Sequence, residues 1–176
     1  DSSTSRGLGD VYKRQTLKDS VNHSERSEKN VLRDKFRNPL ETLKFFEIEP
    51  SMTIIELSPG NGWYTEILST YLYNQGKLIA AAYDPNLSDY AKRSREAYER
   101  KLKSKEIYNK VEIVNLFSKL SDDGTIDAIL TFRNVHNWIG EDGSGVKKVF
   151  QQAYSSLKPG GILGAVSYTH LRAHET

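Results

Sequence analysis

The sequence predicts an α/β fold in which helices cover both faces of a parallel sheet. Short apolar runs of strand length recur at residues 53–57, 77–83, 111–116 and 126–132. Segments with helical spacing lie between these runs, and this alternation favours parallel strands joined by helical crossovers. A loop with two glycines follows the first predicted strand, at the sheet edge where such folds bind ligands. The length of 176 residues is typical of one domain.

The N-terminal part is predicted to form a loose arm followed by helix. Residues 16–30 are polar and show no periodicity, which indicates the arm. Residues 31–46 have apolar residues at helical spacing. Pro39 is predicted to begin a new helix, because proline is tolerated in the first turn. The apolar positions are Leu32, Phe36, Leu40, Leu43 and Phe46.

Three further helices and a fifth strand complete the predicted pattern. The helices are expected at residues 63–73, 88–108 and 146–157. The sequence "KPGG" at 158–161 is expected to form a tight turn after the last of them, since proline stops a helix and glycine permits the turn. The fifth strand is then expected to begin with "ILGAV".

Both ends of the chain are predicted to be foreign to the domain. The sequence "SRGLGDVYKRQ" at 5–15 resembles a translated transposon-type sequencing adapter, and "VSYTHLRAHET" at 166–176 fits its reverse complement in another frame. We therefore expect residues 1–15 and 166–176 to be non-native, and residues 16–165 to be a domain truncated at its C-terminus. A sheet that stops in its fifth strand leaves an uncovered edge, so we expect the chain to be aggregation-prone and catalytically inactive.

Composition and charge disfavour several classes of function. The formal net charge of +2 is close to balance, so neither nucleic acid nor a membrane surface is an expected partner. The chain has no cysteine, and His23, His136, Asp122 and Asp123 show no ligand spacing. His170 and His174 are four residues apart but lie in the adapter-like tail, so no metal site is expected. No apolar run approaches the ~20 residues of a membrane span. Without an apolar signal-peptide core, a cytoplasmic location is the default expectation; because the true N-terminus is not seen, a lost export signal is the alternative.

The loop "ELSPGNGW" after the first strand argues against a dinucleotide site. A full dinucleotide fingerprint needs a third glycine, which allows close packing around a pyrophosphate. Gly60 and Gly62 supply two, but the third position is Thr65, and bulky Trp63 and Tyr64 precede it. A pyrophosphate ligand is therefore disfavoured.

The same loop resembles the first motif of the class I S-adenosylmethionine-dependent methyltransferases, with the order acidic-x-small-x-Gly-x-Gly. "TIDAILTFRNVHNW" resembles their fourth motif, and "SSLKPGG" resembles a helix-to-strand turn seen very often among them. A closer resemblance, through "RNPLETLKFFEIEPSMTIIELSPGNGWYTEIL" and "FRNVHNW", is to a poorly characterised bacterial branch of predicted methyltransferases. The resemblance covers residues 31–165. It implies a Rossmann-like three-layer sandwich with strand order 3-2-1-4-5, S-adenosylmethionine as cofactor and a small-molecule acceptor.

The resemblance also implies which residues bind the cofactor. Asp84 ends the second strand, where an acidic side chain can accept both ribose hydroxyls; the alternative is that it caps a helix before Pro85. Glu56 is implied to favour the ammonium at the methionine end of the cofactor. The other implied positions are Ser58, Gly60, Asn61, Gly62 and Asn134.

His136 is the candidate for the base that accepts a proton from the methyl acceptor. It follows the fourth strand, where the acceptor is expected to approach, and histidine titrates near neutrality. A packing or capping role is the alternative. Two other functions stay open: a nicotinamide-dependent oxidoreductase of similar topology, and a non-catalytic binding module with a cofactor-binding fold.

Overall fold

The computed structural model describes residues 15–139 and 142–167 and contains a five-stranded parallel sheet. The strands lie in the order β3-β2-β1-β4-β5, and every neighbouring pair is parallel. Their bounds are β1 Thr53–Leu57, β2 Lys77–Ala82, β3 Glu112–Asn115, β4 Ile126–Phe132 and β5 Leu157–Val166. The predicted fold class and strand order are confirmed.

Helices precede the sheet and connect its strands. Within residues 15–52, four short helices precede β1: α1 Leu17–Val21, α2 Glu28–Val31, α3 Asp34–Arg37 and α4 Pro39–Phe45. The crossovers contain α5 Thr65–Tyr71, α6 Asp89–Leu102, α7 Val135–Trp138 and α8 Ser144–Ser156, with a 3₁₀ turn at Glu106–Tyr108. Pro39 occupies the first turn of α4, as predicted.

Both faces of the sheet are buried, because successive residues of a strand point to opposite sides. Ile54 of β1 belongs to a cluster with residues of α1, α4 and α5. Its neighbour Ile55 belongs to a second cluster with residues of α7 and α8, including Trp138 and Val149. The continuous apolar strands seen in the sequence are the consequence of this double burial.

The prediction of a loose arm at residues 16–30 is wrong. Thr16 caps α1 in a capping box, in which its side chain accepts from the Asp19 amide and the Asp19 carboxylate accepts from the Thr16 amide. Leu17 and Val21 are buried in the first core cluster. The segment is ordered by two apolar anchors and local capping, neither of which requires a long periodic pattern.

The helical spacing at residues 31–46 also misled in part. The segment is divided between short helices, and Asn38 adopts the left-handed conformation, with φ of 43°, between α3 and α4. Leu32 and Phe36 are consequently exposed, whereas Leu43 is fully buried. Only the apolar residues after Pro39 face the core as the helical spacing predicted.

The "KPGG" turn lies within β5 rather than before it. Leu157 already pairs with Ile126, and the pairing resumes at Ile162 opposite Ala128, with an irregularity between the two pairs. Lys158 Nζ lies 2.6 Å from the Asp127 carboxylate and ties this bulge to β4. The strand therefore starts directly after α8 and accommodates the four residues as a bulge.

The segments predicted to be foreign, residues 1–15 and 166–176, lie outside the described residues except for Gln15, Val166 and Ser167. Of these, Val166 ends β5 and pairs with Phe132. Within the described ranges, no helix is long and apolar enough to cross a membrane. Likewise, no group of three or more histidine or acidic side chains in this part of the chain is arranged to hold a metal ion.

Candidate functional site

Two cavities lie at the carboxyl ends of β1, β2 and β4, on either side of the loop that follows β1. The larger, which we call the aromatic cavity, has a volume of about 580 Å³ and extends toward the end of β2 and the start of α6. The smaller, which we call the arginine cavity, has a volume of about 250 Å³ and extends toward α2 and α3. Both cavities are lined by Ser58, Pro59, Gly60 and Asn134.

The loop between β1 and α5 is held in a left-handed conformation at three positions. Ser58, Gly60 and Gly62 have φ values of 51°, 57° and 71°. Such values cost a residue with a side chain about 1–2 kcal/mol but cost glycine little. Ser58 is therefore strained. It stands where the methyltransferase family that the sequence resembles usually has the first glycine of its first motif.

Contacts from two neighbouring segments hold Ser58 in this conformation. Its amide donates to the carbonyl of Ala81 at 2.9 Å, and its carbonyl accepts from Asn134 Nδ2 at 3.0 Å. Its hydroxyl accepts from the indole of Trp138 at 3.2 Å. Because all three polar groups are engaged, the loop is fixed before any ligand arrives.

The two glycines of the loop have different surroundings. A Cβ atom added to Gly60 would meet nothing within 4 Å and would project into the open space of the cavities. A Cβ atom added to Gly62 would lie 2.8 Å from Lys101 Cε and 3.2 Å from a ring carbon of Tyr98. Gly60 thus leaves room for a ligand, whereas Gly62 allows α6 to pack closely against the loop.

Glu56 is a buried acid near the end of β1. Its carboxylate accepts a 2.6 Å hydrogen bond from the Thr65 hydroxyl, which lies 3.0 Å from the hydroxyl of Tyr98. Burial raises the pKa of Glu56 to about 7, although the Thr65 hydrogen bond and the charge of Lys101 work in the opposite direction. Glu56 lines the arginine cavity, together with Asn61 of the loop.

The structure places Asp84 beside the aromatic cavity but not in its lining. One carboxylate oxygen accepts from the backbone and side chain of Asn86 at 2.9 Å each, and the other accepts from Asn115 Nδ2 at 3.2 Å. Tyr83, the preceding residue, lines the cavity instead. The carboxylate is thus engaged by the turn after β2 and by the end of β3.

The segment after β4 contributes amides to the site. Asn134 lines both cavities and also donates to the carbonyl of Phe132 at 3.0 Å, which fixes its side chain. Asn137 lines the aromatic cavity. His136, between them on α7, is half-buried and lines neither cavity. The structure therefore brings Asn134 to the site and leaves the predicted base outside it.

The walls of both cavities include residues that were not predicted from the sequence. Tyr83, Tyr90 and Phe117 give the aromatic cavity its ring faces. Arg33, Arg37 and Arg133 line the arginine cavity. The closely spaced arginines of "RSEKNVLRDKFRN" were the available signal for the latter, but their convergence with Arg133 depends on the tertiary fold.

The arginine cavity has an aromatic floor. Tyr64 stacks on Phe132 with ring centroids 3.4 Å apart and an angle of 12° between the planes. Burial raises the pKa of Tyr64 to about 12, so its hydroxyl stays protonated and can donate. Trp63 lies edge-on to Tyr64 and has the guanidinium of Arg37 above its ring, 4.7 Å from the centroid.

A buried ion cluster attaches the N-terminal segment to this site. The carboxylate of Glu66, on α5, accepts from Lys101 Nζ at 2.6 Å and from the Ser27 hydroxyl at 2.9 Å. Arg26 Nε lies 3.8 Å from the same carboxylate, and the Arg26 guanidinium also binds Asp34. The arginine-bearing helices are thereby fixed relative to the loop after β1.

Comparison with known proteins identifies the fold and no closer relationship. No model of a protein family matches the chain, and no curated protein sequence matches it. Among solved structures, a SAM-dependent methyltransferase from Aquifex aeolicus superposes with a TM-score of 0.59 at 20% identity, over 91% of this chain and 77% of that chain. A SAM-dependent O-methyltransferase from Thermotoga maritima has a TM-score of 0.53 at 17% identity, over 88% and 51%.

A third similar structure shows that the shared fold does not fix the reaction. The cyclase SpnF superposes with a TM-score of 0.54 at 14% identity, over 75% of this chain and 43% of the cyclase. The present chain thus spans about half of the Thermotoga enzyme and less than half of the cyclase. At these identities the comparison establishes a methyltransferase-like Rossmann fold, and activity has to be argued from the site.

Proposed function

We propose that this domain functions in methyl transfer from S-adenosylmethionine to a small-molecule acceptor; the inactivity expected of the truncated chain stays a separate, untested prediction. The observation that carries this proposal is the arrangement around Gly60, where an open glycine separates a large aromatic cavity from a small polar one. S-adenosylmethionine has an adenosine end suited to stacking and a charged methionine end, and the two adjoining cavities match these two ends. The fold supports the proposal, since ligands of open α/β sheets bind where the strand order reverses, here at β1 and β4.

The aromatic cavity fits the adenosine part of the cofactor. Its volume of about 580 Å³ lies within the range of small-molecule sites. Tyr83, Tyr90 and Phe117 offer ring faces for stacking on a nucleobase, and Ser94 and Asn137 offer polar groups. Gly60 completes the fit, because any side chain there would occupy the space between the two cavities.

The residues of the loop and its neighbours would then hold the methionine end of the cofactor. Glu56 can balance the ammonium, and a bound positive charge would lower its raised pKa. Asn134 is fixed at the wall shared by both cavities, where it can bond the cofactor or the acceptor. We propose Ser58, Asn61 and Gly62 as supports of the loop rather than as sources of chemistry.

The chemistry requires alignment more than activation by the protein. When bound, the cofactor supplies an electrophilic methyl: the acceptor's lone pair forms the new bond, and the electron pair of the broken carbon–sulfur bond stays on sulfur, leaving S-adenosylhomocysteine. The chain's part is to align the acceptor with that methyl and to exclude water. The stacked rings of Tyr64 and Phe132 provide a rigid apolar wall for both tasks.

We propose His136 as the proton acceptor, a role that requires a connection between its imidazole and the acceptor. Its imidazole lies on α7 between two residues that line the aromatic cavity, but it does not line a cavity itself. Direct proton transfer therefore requires α7 to move or a water to connect the imidazole to the acceptor. A His136→Gln variant that keeps full activity across the pH range would assign His136 to packing.

The two alternative functions predict different binding. A nicotinamide oxidoreductase would bind NADH, but Thr65 occupies the position of the third glycine and is buried against Glu56. A non-catalytic binding module would bind S-adenosylhomocysteine and yield no methylated product. Calorimetry with both cofactors, followed by labelled methyl transfer to an acceptor panel, separates the three functions.

A matched pair of glycine variants tests the cofactor site. Gly60→Val should weaken S-adenosylhomocysteine binding at least about tenfold, because the side chain would fill the space between the cavities. Gly124→Val is the control: Gly124 also has a positive φ, 64°, and open surroundings, but lies in the turn before β4. Equal affinity in both variants, or no binding by the unsubstituted chain, would contradict the proposed function.

A further inference from the structure

Two hydrogen bonds connect the walls of the two cavities through the interior of the protein. The Thr65 hydroxyl donates to Glu56 Oε2 at 2.6 Å, and the Tyr98 hydroxyl lies 3.0 Å from Thr65 Oγ1. Glu56 lines the arginine cavity and Tyr98 lines the aromatic cavity, whereas Thr65 lies between them and is fully buried. Because all three residues are buried, water competes little for these hydrogen bonds.

The direction of both hydrogen bonds follows from the number of hydrogens. Thr65 has one hydroxyl hydrogen, which it donates to Glu56, so Tyr98 must be the donor to Thr65 Oγ1. Burial, followed by the charge of Glu56, raises the pKa of Tyr98 well above its ordinary value of 10, so its hydroxyl keeps the hydrogen that it donates. Both hydrogen bonds therefore point toward the carboxylate and favour its ionised form.

Gly62 brings Tyr98 within reach of Thr65. A Cβ atom at this position would lie 3.2 Å from a ring carbon of Tyr98 and 2.8 Å from Lys101 Cε, so a side chain there would push α6 away from the loop. The close approach of α6 therefore depends on Gly62, and it places the hydroxyl of Tyr98 beside Thr65.

Glu56 needs this support because burial opposes its charge. Burial raises the pKa of Glu56 to about 7, and the hydrogen bond from Thr65 and the charge of Lys101 act against that rise. Thr65 is the one residue in the described part of the chain that donates a hydrogen bond to this carboxylate, through Oε2. The second oxygen, Oε1, is thereby left for a ligand in the arginine cavity, which Glu56 lines.

The other titratable and charged groups that face Glu56 come from three directions. Lys101 of α6 lies near it and is paired with Glu66 at 2.6 Å. Tyr64, at the start of α5, feels the charge of Glu56. The wall of the arginine cavity adds Arg33, Arg37 and Arg133. All of these groups stay in place when the hydroxyl of Thr65 or Tyr98 is removed, so variants of these two residues test the two hydrogen bonds alone.

We infer that Thr65 and Tyr98 are positioning residues for the cofactor: Tyr98 holds the Thr65 hydroxyl, and Thr65 holds the Glu56 carboxylate in the ionised form that pairs with the cofactor's ammonium. This inference rests on the proposed function, in which Glu56 balances the methionine end. Neither hydroxyl takes part in methyl transfer; both act through Glu56. Because Tyr98 belongs to the wall of the aromatic cavity, the two hydrogen bonds also link the proposed adenosine site to the proposed methionine site.

The pH dependence of binding separates this role from a purely structural one. The affinity of each variant for S-adenosylhomocysteine is divided by that of the unsubstituted chain at the same pH, between about pH 6 and pH 8.5. Thr65→Val removes the hydrogen bond and keeps the shape, so the pKa of Glu56 should rise further. We expect the affinity ratio to be at least about threefold below one near pH 6 and to recover toward one near pH 8.5, where Glu56 is ionised in both proteins.

Three companion variants sharpen the test. Tyr98→Phe should give a smaller ratio change in the same direction, because the Thr65 hydroxyl remains but loses its own donor. Thr65→Ser keeps the hydroxyl and should restore the pH dependence of the unsubstituted chain. The control is Thr70→Val, the same substitution at another buried position of α5, where the hydroxyl donates to the carbonyl of Ile67 at 2.8 Å. Its ratio should not change with pH.

Two further measurements assign the effect to Glu56. In a Glu56→Gln background the pH-dependent part of the Thr65→Val effect should vanish, because position 56 no longer titrates. Methylthioadenosine, which lacks the amino-acid end of the cofactor, should bind Thr65→Val within about twofold of the unsubstituted chain. If Thr65→Val fails to fold in urea-unfolding measurements, Tyr98→Phe decides the question, since it leaves the Thr65–Glu56 hydrogen bond in place.

The outcomes that contradict the inference differ from those that contradict the proposed function. Affinity ratios that are independent of pH in both Thr65→Val and Tyr98→Phe, or an equal loss of methylthioadenosine binding, would overturn the inference while leaving the proposed function intact. A pH-dependent ratio that persists in the Glu56→Gln background would overturn it as well. Failure of the unsubstituted chain to bind S-adenosylhomocysteine would contradict the proposed function itself, and the inference would fall with it.

Discussion

The indole nitrogen of Trp138 donates a hydrogen bond to the hydroxyl of Ser58 across 3.2 Å, and both residues are buried. This contact joins the segment after β4 to the loop after β1. Ser58 has a φ of 51°, a conformation that glycine would adopt with less strain. The hydroxyl thus gives a physical reason for serine at this position: it satisfies a buried donor that glycine would leave unpaired.

Two substitutions at Ser58 should separate strain from hydrogen bonding. Ser58→Ala keeps the strained φ and leaves the indole nitrogen unpaired, so we expect a loss of about 1–2 kcal/mol in the free energy of unfolding. Ser58→Gly leaves the same donor unpaired but removes strain worth about 1–2 kcal/mol, so its stability should stay close to that of the unsubstituted chain. Urea unfolding measures both.

The hydrogen bond itself is tested by a double-mutant cycle with Trp138→Phe. In the Ser58→Ala variant the indole nitrogen is already unpaired, so Trp138→Phe then removes only an unpaired donor. Trp138→Phe should therefore lower the free energy of unfolding by about 1 kcal/mol less in that variant than in the unsubstituted chain. Additive effects would show that the contact contributes nothing to stability. Equal stability of the alanine and glycine variants would show that the loop is not strained at Ser58.

Glu56→Gln should stabilise the chain at high pH and have little effect at low pH. The pKa of Glu56 rises from an ordinary value of 4.5 to about 7, so the folded state holds a proton that the unfolded state has lost between these values. Protonation of Glu56 makes its full contribution to the free energy of unfolding below pH 4.5. This contribution is lost as pH rises through about 7. Above that pH, the ionised Glu56 lowers the free energy of unfolding by about 3 kcal/mol at most.

Glutamine avoids this penalty and can still accept the hydrogen bond of Thr65. Urea unfolding near pH 4 and near pH 8 should show stabilisation of the variant only at the higher pH. S-adenosylhomocysteine should bind the variant more weakly at pH 8, because the cofactor's ammonium loses a charged partner. Equal stability of the two proteins at both pH values would contradict the raised pKa.

Glu66→Gln should destabilise the N-terminal segment, with the opposite dependence on pH. Burial alone would raise the pKa of Glu66, but hydrogen bonds from Lys101, Asn30 and Ser27 outweigh it and lower the pKa. The stability from Glu66 is therefore present above its ordinary pKa of 4.5 and is lost as pH falls through the folded value. Removal of the buried charge at neutral pH should cost about 3 kcal/mol.

Hydrogen exchange shows which helices lose stability in the Glu66→Gln variant. Amides of α1 to α3 should lose protection in Glu66→Gln, because Glu66 accepts from Ser27 and lies beside Arg26. The control is Asp122→Asn, which removes the exposed partner of Lys119 and should leave exchange in these helices unchanged. Unchanged protection in the Glu66 variant would show that the segment is held by its apolar anchors alone.

The sheet could be predicted from the sequence because its strands are buried on both faces. Runs such as "TIIEL" and "IDAILTF" are mostly apolar on both faces for that reason, and the strand order followed from a resemblance in the motifs between them. The helix bounds were less certain: Pro39 predicted the break at Asn38, but the apolar spacing before it did not show two short helices that leave Leu32 and Phe36 exposed. Helix α1 was missed because it has only five residues, despite its capping box.

The site was only partly predictable because its geometry depends on residues far apart in the chain. Gly60 could be found from the local requirement for a residue without a side chain. The direction of the Asp84 carboxylate depends on Asn115 of a neighbouring strand. The pocket at Arg33 and Arg133 exists only because the sheet brings the end of β4 beside α3. No local pattern contains that information.

Asp84→Ala should weaken S-adenosylhomocysteine binding by about 1–3 kcal/mol, the cost of losing hydrogen bonds to a charged group. The carboxylate now accepts from Asn86 and Asn115, so binding requires it to exchange these donors for the ribose hydroxyls. Asp89→Ala, an exposed acid at the start of α6, is the control and should leave affinity unchanged. Calorimetry measures both affinities, and unfolding measurements show whether loss of the turn contributes. If Asp84→Ala lowers stability but not affinity, Asp84 organises the turn after β2, and the ribose is held by other groups of the aromatic cavity.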